Sequence, residues 1–294
     1  MQAAAVRDGR LEIVERGEPT PAAGQILVRV RAAGINNADV LQRAGRYPPP
    51  PGAPADIPGL ECAGETDDGR RVLALLGGGG HAEAVAVDAR HVLDVPDGVE
   101  WPVAGGFIEA YATAHDALFT QAELRADERL LVTGATGGVG LAAVQLGLAA
   151  GASVTASARH HQAELRALGA ATEIEGDYDV ILELVGGENL ARNLELLALK
   201  GRIAVIGAGA GARAQIDFGL LMRKRGRIHA SNLRNRNGDE KADVVRRLGE
   251  QVLPLLAVGE VRVPIEATFP LAQAQEAYDR FTAAGKFGKL VLVM

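Results

Sequence analysis

The residues best suited to chemistry lie where an apolar strand meets a cluster of glycines. Leu130-Leu131-Val132-Thr133 runs into Gly134-Ala135-Thr136-Gly137-Gly138-Val139-Gly140, and the small residues that follow predict a helix from Leu141 to about Ala150. Glycines at such a turn let the backbone approach a pyrophosphate, whose charge then rests at the helix N-terminus. The spacing Ala135, Gly137, Gly140 fits the fingerprint G-x-G-x-x-G except at its first position, where Ala135 stands. Glycines alone would also suit a plain tight turn. The strand before, the helix after and a second strand over 153–158 favour a dinucleotide site, with Ala135, Thr136, Gly137, Gly138 and Val139 as its loop residues.

The second strand speaks to which dinucleotide. An NAD site carries Asp or Glu about 20 residues past the glycines to hold the ribose 2′-hydroxyl. This chain reads Val154-Thr155-Ala156-Ser157-Ala158-Arg159-His160-His161 there, with no acid before Glu164. Ser157 can donate to a 2′-phosphate and Arg159 can pair with it. The expected cofactor is therefore NADPH. The other reading of Arg159 is that it starts a solvated helix.

Positioning these groups requires a parallel sheet. From about residue 110, helical segments alternate with short apolar strands at 130–132, 153–156, 180–184, 202–206 and 228–231, the pattern of crossover-connected parallel strands. Residues 1–100 are richer in strand signals, with Gly and Pro clusters between them. Tyr47-Pro48-Pro49-Pro50-Pro51-Gly52 is an irregular loop, because its prolines suit neither helix nor ladder. After about 255 the chain returns to strand, helix and strand. The basic run Arg223-Lys224-Arg225-Gly226-Arg227 reads as a solvated helix end before the strand at Ile228, with an anion or cofactor role as the other reading.

Composition narrows the class. At 294 residues and 48% hydrophobic, with 37 glycines, the chain suits an α/β protein of about two domains. A net charge of −6 argues against a general nucleic-acid binder. Cys62 is the one cysteine, so no internal disulfide can form. No apolar run is long enough to span a bilayer, and the reading is of a soluble, cytoplasmic protein. There is no Tyr-x-x-x-Lys pair on a Rossmann helix and no Gly-x-Ser-x-Gly elbow, so short-chain reductase and hydrolase chemistry lack support.

Several further segments carry a family resemblance. Ala33-Gly34-Ile35-Asn36-Asn37-Ala38-Asp39, continuing to Gly45-Arg46-Tyr47-Pro48-Pro49-Pro50, resembles a G-x-N-x-x-D…G-x-Y-P-P-P signature. Ile57-Pro58-Gly59-Leu60-Glu61 resembles I-P-G-x-E, Glu109-Ala110-Tyr111-Ala112-Thr113-Ala114 resembles E-A-x-x-T-A, and Gly288-Lys289-Leu290-Val291-Leu292 resembles G-K-x-V-L. In order and together with the phosphate loop, they resemble the zinc-free quinone oxidoreductases, the zeta-crystallin-like branch of the medium-chain dehydrogenases and reductases. The resemblance implies a GroES-like, partly open β-barrel catalytic domain over 1–108 and 256–294, and a Rossmann NADP(H)-binding domain over 109–255. It also implies a homodimer and a cleft between the domains where nicotinamide and substrate meet. The stretches 64–71 and 171–179 are shorter than in typical members.

The resemblance also bears on metal. Zinc-dependent relatives place Cys where Asn36 stands and His where Leu60 stands, and carry a four-cysteine lobe. Glu61 and Glu109 alone make a poor zinc site, so no metal is expected. Without a Lewis acid, alcohol dehydrogenation is disfavoured, and a quinone or conjugated carbonyl is the better hydride acceptor. Asn36 is then the polar group near the nicotinamide, or an amide capping the following helix, or both. Tyr47 is a donor to the substrate oxygen, or packs over the proline loop. Some members carry a tyrosine where Leu41 stands, so a tyrosine relay is in doubt and the pocket is more apolar. Asp39 and Glu61 read as structural. Thr113, Gly186, Gly207, Asn232, Leu233 and Lys289 are placed along the cofactor, with ordinary strand-end turns as the other reading at the glycines. The leading function is a metal-free, NADPH-dependent quinone reductase. The alternatives are a reductase of enone, alkenal or enoyl double bonds, and a non-catalytic NADPH-binding sensor or structural protein. The expected partner is a small quinone or conjugated carbonyl, not nucleic acid or membrane.

Overall fold

The computed structural model describes residues 1–294, which divide into two compact units: Met1–Ala112 with Leu233–Met294, and Thr113–Asn232. The first opens with a hairpin, β1 (Gln2–Arg7) and β2 (Arg10–Glu15), turning at Asp8-Gly9, both at positive φ as a tight primed turn requires. β3 (Gln25–Gly34) follows, then α1 (Asn37–Arg43), β4 (Glu61–Thr66), β5 (Arg71–Leu75), β6 (Ala84–Asp88), β7 (Val92–Asp94), α2 (Trp101–Gly105) and α3 (Ile108–His115). β3 organises the sheet. It pairs antiparallel with β4 along much of its length and with β6 over its first half. Alternation along these strands buries Val28, Val30, Cys62, Val72, Ala74, Val85 and Val87 in one core. The short 64–71 stretch is a tight turn, Asp67–Arg70, joining β4 to β5.

The second unit is a five-stranded parallel sheet. It contains β8 (Arg129–Thr133), α4 (Gly138–Ala149), β9 (Ser153–Ser157), α5 (Gln162–Ala167), β10 (Tyr178–Glu183), α6 (Asn189–Glu195), β11 (Leu197–Val205), α7 (Phe218–Lys224) and β12 (Arg227–Ala230). The order is β12-β11-β10-β8-β9, so the sheet reverses direction of growth between β8 and β10. Beyond β9, a further strand shrinks to one bridge, Thr155 with Ala171, where the sequence is short. α4 starts at Gly138, three residues before the apolar pattern does, because its first turn is built from glycines that the periodicity does not register. The basic run falls where α7 ends: Arg225 takes the left-handed conformation at φ 49° and β12 follows. Buried Arg202 pairs with half-buried Glu128 at 2.8 Å.

The chain then returns to the first unit through α8 (Gly238–Gln251), α9 (Leu253–Ala257), β13 (Ile265–Pro270), α10 (Ala274–Thr282) and β14 (Lys289–Val293). α8 opens on a capping box in which Asn237 and Glu240 each accept the other's backbone N–H. Its inward face carries Lys241, Val244, Val245 and Leu248, and it packs on β7 and the turn Ala89–His91. β14 closes onto the end of β3, pairing Val291 with Gly34 and Val293 with Ala32. That pairing carries Lys289 to the residues around Asn36.

Candidate active site

Asn36 sits between the end of β3 and the start of α1. Its backbone N–H donates to the Asp39 carboxylate at 2.8 Å, which fixes the turn. Its side chain is committed elsewhere: Nδ2 donates to Glu61 Oε1 at 2.9 Å, and Oδ1 accepts from Lys289 Nζ at 2.8 Å. Lys289 Nζ also donates to Glu61 Oε1 at 2.6 Å and to the Ile35 carbonyl at 3.2 Å. All three ammonium protons therefore have acceptors. Glu61 is fully buried, and its second oxygen accepts the Glu109 backbone N–H at 2.9 Å. Gly34 must be glycine, because a Cβ there would run into the Glu61 carboxylate and lie 2.9 Å from the Gly105 carbonyl.

Around this cluster the polar groups are closely matched. Asp39 is fully buried and its other oxygen accepts the Gly59 N–H at 2.9 Å; burial raises its pKa, partly offset by His81 and those hydrogen bonds. His81 Nε2 lies 3.2 Å from the Gly34 carbonyl, so it donates, and Nδ1 accepts from Tyr278 Oη at 2.9 Å. That tautomer is the neutral ring, and burial lowers the pKa of His81 in the same sense. Glu109, only 9% exposed, is the outlier. Burial first, then the Glu61 and Asp39 carboxylates, push it up to about 8. It holds a proton at neutral pH.

The proline loop is anchored from afar. Arg234 is buried; its guanidinium lies over the Tyr47 ring at 5.0 Å and donates to the carbonyls of Tyr47 (3.3 Å) and Gly77 (3.0 Å) and to the Gln42 side chain. Tyr47 itself is half-buried.

In the second unit, parallel strands bring their carboxyl ends to one edge. Thr133 hydroxyl ties β8 to β10, donating to the Leu182 carbonyl at 3.2 Å and accepting the Leu184 N–H at 3.0 Å. Ala135 N–H donates to Ser157 carbonyl at 3.1 Å, setting Ser157 beside the loop. Gly137 caps α4 without any side-chain acceptor, so the first amides of a twelve-residue helix face outward unspent. A Cβ on Gly140 would lie 2.6 Å from the Gly134 carbonyl and 2.7 Å from Ala135 Cα, whereas nothing closer than 4.0 Å crowds Gly137. Close strand–helix packing and an open backbone are what a pyrophosphate cradle needs. At the end of β10, buried Glu183 accepts from the N–H groups of Val185 (2.5 Å) and Gly186 (2.7 Å), from Asn189 Nδ2 (2.6 Å) and from Asn193. It shapes the Gly186-Gly187 turn, which bonds to the Gly211 carbonyl beyond Gly207.

Comparison with known proteins decides the family. Residues 22–97 match the alcohol dehydrogenase GroES-like domain and 150–292 match the zinc-binding dehydrogenase family. The quinone oxidoreductase of Thermus thermophilus, solved also in complex with NADPH, superposes with a TM-score of 0.88 over 100% of both chains at 32% identity. The chain belongs to the medium-chain dehydrogenase/reductase superfamily. Its first unit is the GroES-like part of that fold and its second the Rossmann part. The synaptic vesicle membrane protein VAT-1 homolog of Danio rerio is 28% identical over 95% of this chain, and erythronolide synthase EryA2 of Saccharopolyspora erythraea is 34% identical over 97% of it. The chain spans 66% of the former's length and 8% of the latter's.

Within this superfamily fold, the expected site residues separate by unit. Asn36, Tyr47, Leu233 and Lys289 lie in the first. Thr113, Ala135, Thr136, Gly137, Gly138, Val139, Ser157, Arg159, Gly186, Gly207 and Asn232 lie in the second, most at strand ends. Arg159 is exposed just past β9 and Asn232 just past β12. Four groups escaped the sequence reading as site members: Glu109, Glu183, Arg234 and Lys241. Lys241 had a signal, since Lys241, Val244, Val245 and Leu248 share one helical stripe and a lysine there must point inward. Arg234 had none, because its partners lie far away in sequence.

Proposed function

We propose that this chain is an NADPH-dependent quinone reductase that works without a metal. The observation that carries the reading is Lys289. Its ammonium lies against Asn36 and Glu61 at 2.8 and 2.6 Å. The neighbouring Leu60 offers no ligand atom. A zinc ion is poorly served by one carboxylate, one amide and an adjacent cation. NADPH, when bound, supplies hydride. The chain's own residues bind and orient. The α4 amides and the open backbone at Gly137 take the pyrophosphate, and Ser157 with Arg159 takes the 2′-phosphate. Asn36 is held in one orientation by Glu61 and Lys289, which suits a polar group beside the nicotinamide. Tyr47 serves as donor toward the substrate oxygen. A reduced quinone must gain protons, and Glu109 holds one in the same cluster. The single, buried cysteine suits a reducing, cytoplasmic setting. The open edge of β12, beside exposed Phe218, Met222 and Leu199, supports a homodimer.

The second reading, reduction of enone or alkenal double bonds, draws on Leu41, which makes the surroundings of Asn36 more apolar. Both are tested by NADPH and NADH consumption with 1,4-benzoquinone, 9,10-phenanthrenequinone and an alkenal, in the presence of a chelator. NADPH-selective, chelator-insensitive quinone turnover is expected, and Arg159→Ala should weaken NADPH far more than NADH. Turnover of the alkenal alone moves the function to double-bond reduction. Tight NADPH binding with no turnover favours a sensor, and equal loss of both cofactors removes Arg159 from the 2′-phosphate.

A further inference from the structure

We propose that the cavity beside α8 binds a small molecule bearing one anionic group, a carboxylate or phosphate, on an apolar body. The cavity lies within the first unit and measures about 660 Å³, a size suited to a small ligand. Lys241 lines it from the first turn of α8. This lysine is 7% exposed, and its ammonium makes no hydrogen bond or ion pair with the protein. Burial lowers its pKa from the ordinary lysine value; Glu109 pulls it back and Arg234 adds to the fall. A largely buried cation with no hydrogen-bonded partner carries a cost, and an anion reaching it through the cavity is the group that offsets it.

Other lining groups agree. The start of α8, at Asn237 and Gly238, opens on the same space and adds the positive end of a fourteen-residue helix. Asp88, the carboxylate on the lining, is already held by Arg90 at 2.7 Å. His91 is spent on the Gly238 carbonyl at 2.8 Å. Pro50, Pro54, Ile57, Leu76 and Val85 form an apolar part of the wall that would take the ligand's body, beside polar lining from Thr20, Gln25, Asn235 and Arg236. The site is argued on its own geometry and stands whether or not the chain reduces quinones.

The test is calorimetric titration of the full chain with octanoate, octyl phosphate and octanol. At least one anion is expected to bind, at least about tenfold more tightly than octanol, and the tighter of the two identifies the head group. Lys241→Met should bring that anion down to the octanol level while raising the thermal midpoint, since it removes a largely buried charge that has no hydrogen-bonded partner. Lys241→Arg should retain most of the affinity, which separates loss of charge from loss of fold. The proposal is overturned if neither anion binds, if octanol binds as well as they do, or if a folded Lys241→Met keeps the anion's affinity.

Discussion

Glu109→Gln makes the sharpest test of the electrostatics around Asn36. Burial and two neighbouring carboxylates raise Glu109 to about 8, against an ordinary 4.5. Folded and unfolded chains are both protonated there below the lower value. As pH rises, the unfolded chain ionises first, so stability is lost progressively until the folded carboxyl also ionises near 8. Each pH unit across that window is worth about 1.4 kcal/mol for one proton, and the full loss is on the order of 5 kcal/mol. Gln has the same shape and no charge at any pH. The variant should therefore match the parent near pH 5 and exceed it by about 5 kcal/mol near pH 8.5. Urea unfolding at several pH values reads this directly, because the single tryptophan, Trp101, lies in the same unit as Glu109. Its ring packs under Arg71 at 4.3 Å, so its fluorescence follows that unit alone. Taking the difference between parent and variant cancels Asp39 and His81, whose burial also makes stability depend on pH. A difference that stays flat within about 1 kcal/mol from pH 5 to 8.5 would refute the reasoning.

Two further outcomes follow from the same contacts. Lys289→Met leaves the fully buried Glu61 without its cation and should cost about 3–5 kcal/mol by denaturant midpoint. Adding Glu61→Gln should recover most of that, and simple additivity of the two losses would show that the pair is not coupled. Gly140→Val drives a side chain against the backbone of Gly134 and Ala135. It should cost about 1–3 kcal/mol and lower NADPH affinity at least about tenfold by fluorescence titration; unaltered binding would show that α4 does not cradle the pyrophosphate.

Much of this was legible before any coordinates. The glycine cluster between strand and helix marks the α4 turn, because close backbone approach restricts those positions to small residues. The alternation of short apolar strands with helices shows the parallel sheet, and the brevity of 171–179 coincides with a strand reduced to a single bridge. Asn36 and Glu61 stood in recognisable segments. What could not be read was convergence. Lys289 belongs to a strand motif, yet its amino group reaches Asn36 and Glu61 only because β14 pairs with β3. Arg234 bridges Gln42, Tyr47 and Gly77 through a single side chain. Glu183 looks like any acid ending a strand until two amides and two asparagines are seen to meet it. Local pattern carries periodicity and turn chemistry; it does not carry which distant carbonyl a long cation will find.

The pairing of β14 with β3 also dictates an order of assembly during synthesis. Val291 emerges from the ribosome about 250 residues after Gly34, its partner. At ordinary elongation rates this is a delay on the order of 10–50 s. Throughout it, the end of β3 from Ala32 to Gly34 lacks its neighbour on one flank and Glu61 has no lysine beside it. Thr113–Asn232, by contrast, is a continuous stretch of chain that is finished well before β14 appears. The nascent protein should therefore complete its nucleotide-type sheet first. The GroES-like unit becomes whole only at the last strand, which makes that waiting interval the period of greatest exposure to chaperones and to edge-to-edge aggregation.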